Sequence, residues 1–192
     1  TARERGLEPL ALVIGQQASE GNPEEIAAEY VDESKGVADV NVALAGAKDI
    51  LAEAVAERGD VRTMVREALQ TAELVATAAR DQDLTKTKFK DYATFREPVQ
   101  EVKPHRYLAV CRGESEKKLK VSLELDIEPL LAPIADSVGR REESPMASHL
   151  VEAIRVSLEK LVVPSLEREL RQELRERAEA AAIDVFASNL YD

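Results

Sequence analysis

The sequence predicts a mainly α chain: a multi-helix module with a small two-stranded β ribbon and a long C-terminal helix. Three observations lead there. Apolar residues recur at three- and four-residue spacing over most of the chain, the signature of helices with one buried face. A strict four-residue series, Leu166, Leu170, Leu174, Ala178, Ala182, Phe186 and Leu190, closes the chain. One segment, residues 118–125, instead alternates, with Leu119, Val121, Leu123 and Leu125 on one face and Lys118, Lys120, Ser122 and Glu124 on the other. Aromatics are only 4% and Trp is absent, so the core must be built from Leu, Val, Ile and Ala.

In chain order, Pro9 suits an early helical position and Leu10 to Ile14 forms a short apolar helix, after a turn stopped at Gly6. Asn22-Pro23-Glu24-Glu25 combines a capping side chain, a first-turn proline and two acids at the positive end of the helix dipole, which predicts a helix start. That helix, with Ile26, Ala27 and Tyr30, ends before Gly36. From Asp39, the residues Val40, Ala43, Leu44, Ala47, Leu51 and Val55 define a longer helix, closed at Gly59. Asp60 caps the next, with Val61, Met64, Val65, Ala68 and Leu69.

Residues 74–79 extend that helix or form a strand. The strand is preferred, because 118–125 needs a partner and a lone strand is unstable. Pro104 starts and Gly113 stops a short helix. Residues 126–145, broken by Pro129, Pro133, Gly139 and Pro145, predict a connection with little regular structure. Leu150, Ile154, Leu158, Leu161 and Val162 form another apolar face, and a helix is expected over 164–190. Pro164 either kinks a continuous helix or occupies the first turn of the second. The pattern divides into a helical module with its ribbon, 1–145, and a helical spine, 146–192. The chain opens without an initiator Met and stops at the close of a strong helical pattern, and so reads as a segment of a longer protein.

The formal charge of −11 argues against a surface that coats nucleic acid all over. A single cysteine, Cys111, excludes an internal disulfide and fits a reducing, cytoplasmic setting. The apolar runs are too short for a bilayer, so no membrane partner is expected. His105 and His149 are the only histidines, and no metal-ligand spacing accompanies them. Ser34-Lys35-Gly36 is only a fragment of a phosphate-loop motif, and no nucleophile elbow is present. Acid pairs such as Glu24-Glu25 and Glu142-Glu143 read as solvated faces. The expectation is a chain with no catalytic residues, metal, cofactor or small-molecule substrate.

Charge distribution is more telling. Residues 86–120 hold seven Lys and three Arg against five acids, a local +5 in a chain whose remainder is −16. Lys88, Lys90, His105, Arg106, Arg112, Lys118 and Lys120 lie there, interleaved with Phe89, Tyr92, Phe95 and Tyr107. Cations beside rings hold phosphates and stack on bases. The plainer alternative is that these cations pair with the protein's own acids while the rings are core.

Several blocks of residues resemble the Tex family of bacterial transcription accessory proteins. They include Glu29-Tyr30-Val31-Asp32-Glu33-Ser34-Lys35-Gly36-Val37-Ala38-Asp39, Ala43-Leu44-Ala45-Gly46-Ala47-Lys48-Asp49-Ile50-Leu51, Lys88-Phe89-Lys90-Asp91-Tyr92, Pro104-His105-Arg106-Tyr107-Leu108-Ala109 with Arg112-Gly113-Glu114, and Val185-Phe186-Ala187-Ser188-Asn189-Leu190. The resemblance implies a helical N-terminal region of a multidomain, cytoplasmic protein associated with transcription and nucleic-acid binding. It also implies an RNase-H-like domain and a C-terminal OB-fold RNA-binding domain lying outside this chain. Nucleic acid, RNA or DNA, is then the partner of the whole protein. A contact with the transcription machinery and none with nucleic acid is the alternative. The resemblance assigns no catalytic role to His105, Arg106 or Arg112.

Overall fold

The computed structural model describes residues 1–191. In chain order the elements are α1 (Glu8–Gly15), α2 (Pro23–Ala28), α3 (Val40–Ala56), α4 (Gly59–Leu69), β1 (Glu73–Ala78), β2 (Thr94–Pro98), α5 (Pro104–Ser115), β3 (Leu119–Glu124), α6 (Glu128–Ser137), α7 (Ala147–Ser157) and α8 (Val163–Tyr191). They form two compact units. One comprises Thr1–Val65 with Ile127–Ser165, the other Arg66–Asp126 with Leu166 onward.

In the first unit the predicted caps set the helix starts. The Asn22 side chain accepts the Glu24 N–H at 3.0 Å, and Asp39 accepts the Val42 N–H at 2.9 Å. Leu7, Leu10, Ile14, Ala27, Val37, Ala43, Leu44, Ala47, Ile50 and Met146 make one buried cluster. Val37 reaches it because Gly36, at φ +76°, turns the chain left-handed, and Asp32 and Val37 then exchange backbone hydrogen bonds at 2.9 and 3.0 Å. Helix α3 packs along α7. The buried Ser157 hydroxyl donates to the Ala52 carbonyl at 2.7 Å, so this polar group costs little.

Pro129, Pro133 and Pro164 do not break the chain as their spacing suggests. Residues 126–145 are not irregular, because α6 occupies half of them. Pro129 lies in its first turn, where an N–H has no helical partner, and Pro133 removes one further bond. Leu131, Ile134 and Ala135 are buried at helical spacing, and that burial outweighs the missing bond. The proline at 164 settles into the first turn of α8. Just before it, Leu158–Val162 widens to a π-helical turn, with the Val163 N–H donating to Leu158 five residues back.

The second unit holds the ribbon and more. β1 pairs antiparallel with β3, Leu74 opposite Leu123 and Ala76 opposite Val121, as the alternating pattern required. A third strand, β2, joins the other edge, giving the order β2-β1-β3. Leu74, Ala76, Phe95, Leu119, Val121 and Leu123 are buried. On the opposite face Arg96 bridges Glu73 and, at 2.6 Å, Glu124.

A pH dependence follows from α7. His149 is half-buried and its Nδ1 finds no hydrogen-bond partner among the described residues. Burial lowers its pKa, the Lys48 cation lowers it further, and Glu152 and Glu24 oppose. A folded-state pKa below the unfolded value means the unfolded chain takes up the proton first. Stability is therefore full above about pH 6.5 and declines as pH falls below it. Thermal unfolding across that range should show the decline in the native chain and a shallower one in His149→Gln. Equal slopes would remove His149 from the explanation.

Candidate nucleic-acid interface

The seven basic residues singled out by sequence all lie in the second unit, but they do not form one patch. Lys88, His105 and Arg112 come together. With Phe89, Tyr92 and Leu108 they line an open cleft of about 390 Å³ beside the first turns of α5. Pro104, with its fixed φ and missing N–H, begins α5 and sets His105 one residue into it. The loop before β2 supplies the rings. The Lys88 ammonium sits 5.0 Å from the centre of the Phe89 ring, and Tyr92 packs tilted against Phe95 with centroids 5.5 Å apart.

The electrostatics are more balanced than the sequence count suggests. Lys88 and Arg112 both reach Glu116, at 3.0 and 2.9 Å. The two cations together hold the Glu116 carboxyl below its ordinary pKa, Lys88 most strongly. Arg106 is paired with Glu97, and Lys118 donates to the Gln82 side chain at 2.7 Å. Lys90, His105 and Lys120 have no such partner among the described residues. Lys120 stands on the exposed face of β3, opposite Thr77 of β1. As an ensemble, then, the site offers one cleft with two cations sharing a carboxylate, a histidine and two rings. Such a cleft suits a flat ring beside an anionic group. Among the described residues no group of three or more His, Cys, Asp or Glu is placed to hold a metal ion.

A second row of cations is absent from the sequence-based candidates. Arg168, Arg171 and Arg175 share one face of α8 and line a cleft of about 300 Å³ with Cys111 and Ser115 of α5. The Arg171 guanidinium is fixed by Glu114, one arm at 3.2 Å. Burial pulls its pKa down, and Glu114 and Tyr107 together more than offset this, so it stays above the ordinary value. The Tyr107 hydroxyl donates to the Arg171 carbonyl at 2.8 Å, and burial followed by the nearby Cys111 pushes its pKa up to about 12. The signal is present in the spacing of three and four residues, but the apolar stripe on the same helix masks it.

These features define a mainly α protein with a three-stranded antiparallel sheet and a long closing helix. Among the described residues no helix is long and apolar enough to cross a membrane. A family model described as Tex central region-like matches residues 18–186, and the chain belongs to this Tex family. It is 39% identical over its whole length to protein YhgF of Escherichia coli (strain K12), and 36% to protein tex of Bordetella pertussis (strain Tohama I). Its identity to the transcriptional accessory protein Tex of Neisseria gonorrhoeae is 34%, again over the whole chain. In each case the chain spans 26% of the relative's length.

Proposed function

We propose that this chain is a non-catalytic scaffold segment of a longer, cytoplasmic transcription accessory protein that binds nucleic acid, RNA or DNA. The observation behind the scaffold role is the division of the α8 stripe. Leu166, Leu170 and Ala178 are buried, whereas Ile183, Phe186 and Leu190 are each about two-thirds exposed. Large apolar side chains clustered on one helix end mark a surface that another protein surface covers. The name of the Neisseria gonorrhoeae relative supports the transcription accessory role. The Lys88, Tyr92, His105 and Arg112 cleft supports nucleic-acid contact, since it sets cations beside rings.

Amide hydrogen exchange tests the scaffold role. Residues 180–191 should exchange quickly in this chain alone and be strongly protected in a protein of the relatives' full length. Equal exchange in both would rule the scaffold role out. A contact with the transcription machinery alone is favoured by the shared Glu116, which already occupies two of the cleft's cations. Under that reading full-length protein binds no RNA through this segment, and reversing Lys88 and Lys90 leaves RNA affinity unchanged.

A further inference from the structure

We propose that the arginine-lined cleft between α5 and α8 holds the sugar–phosphate backbone of a nucleic-acid strand without stacking on its bases. The proposal rests on the nucleic-acid reading above for the class of polyanion, and on the following geometry for the site.

Arg168, Arg171 and Arg175 rise along one face of a helix over about 10 Å, a row rather than a point. A row of forked, permanently charged donors matches a polymer that presents anionic oxygens at regular intervals. No aromatic side chain lines this cleft, so it has no platform for bases. It differs in that respect from the Lys88 and Tyr92 cleft.

The three arginines stand in different states of readiness. Arg168 is exposed and has no partner among the described residues. Arg175 holds Glu179, four residues on, at 3.0 Å, with both side chains more than half exposed. Such an exposed pair contributes little and yields readily to a phosphate. Arg171 is the fixed centre. Glu114 holds its two terminal nitrogens, and its buried Nε has no acceptor among the described residues. Within the lining three guanidinium groups face one carboxylate, Glu114; Ser115 adds a neutral hydroxyl, while the Gln172 amide already donates to Glu176 at 2.9 Å.

The protein carries its own reporter. Cys111 is the only thiol in the chain, and it lines this cleft. Three measurements on the 192-residue chain test the proposal. They are anisotropy of a labelled oligouridylate against salt, the rate of Cys111 alkylation with and without that RNA, and both repeated on Arg168→Glu/Arg175→Glu. Both arginines are exposed, so the variant should fold, and circular dichroism checks this. The expected result is salt-sensitive binding that slows alkylation. In the variant, affinity should fall about tenfold or more and the log–log salt slope should flatten by about 1.4, roughly 0.7 for each phosphate no longer neutralised. Binding that survives in this variant but is abolished in Lys88→Glu/Lys90→Glu overturns the arginine cleft and leaves nucleic-acid binding standing. Absence of binding even at low salt overturns both for this chain. Protection of Cys111 by polyglutamate as strong as that by RNA overturns the assignment to nucleic acid, in favour of an acidic protein segment.

Discussion

Leu158→Ala should cost the first unit about 3 kcal/mol, seen as a lower midpoint in urea unfolding with little change in slope. Leu158 is fully buried and opens the π-helical turn that precedes α8. That turn packs against α3 as well as following directly on α7. Truncation removes the transfer energy of the side chain and leaves a cavity whose walls cannot collapse freely. Ile154, a turn earlier, and Val162, a turn later, are equally buried and held by the same helix. Leu161→Ala is the natural control. Its side chain lies on the solvent side of the same turn, 39% exposed, and its truncation should cost well under 1 kcal/mol. Equal costs for the two would mean that the widened turn does not fix which face of the helix is buried.

That turn also shows what is legible in the sequence and what is hidden. Local rules read well. Asn22 and Asp39 cap the helices their positions predict, and the α8 series produces a helix within a residue of its expected start. The alternation over 118–125 names a strand, and the need for a partner finds β1. β2 is hidden because it is a short edge strand ending in Pro98, and edges tolerate a proline that a central strand would not. α6 is hidden because its prolines look like breakers until one asks which hydrogen bonds they remove.

The candidate site is less legible because its electrostatics are non-local. No spacing rule brings Lys88 onto Glu116, 28 residues away, or Arg106 onto Glu97. A +5 segment therefore looks like a free patch, while four of its seven singled-out residues are engaged by acceptors within their own unit. The arginines of α8 are the reverse case, local in spacing and readable in principle. The partition of the chain into two discontinuous units leaves no mark in composition, since neither 65–66 nor 126–127 is rich in Gly, Pro or Ser.

Gly113→Ala is expected to destabilise the second unit, although the helix scale alone says the opposite. In an unobstructed helix interior the change gains about 1 kcal/mol. At Gly113, however, an added Cβ would meet the Leu119 side chain, with Cγ at 2.7 Å and Cδ1 closer still, and Phe89 at 3.2 Å. Leu119 is buried on β3, and Phe89, largely buried, lines the basic cleft. The Gly113 carbonyl also accepts the Lys118 N–H at 2.8 Å, which holds the turn from α5 into β3. Overpacking such a contact costs about 1–3 kcal/mol, enough to cancel the helix gain and leave a net loss of about 1 kcal/mol. Gly113→Val should lose about 3 kcal/mol, since it adds further bulk at the same point and a branched side chain to a helix. The decisive comparison is a double-mutant cycle with Leu119→Ala. With the obstructing side chain gone, Gly113→Ala should become stabilising, and a cost that persisted there would place the constraint in the backbone rather than in the packing. Because Arg112 and Glu114 flank this glycine, the same substitution should also disturb both clefts, and faster alkylation of Cys111 would report it.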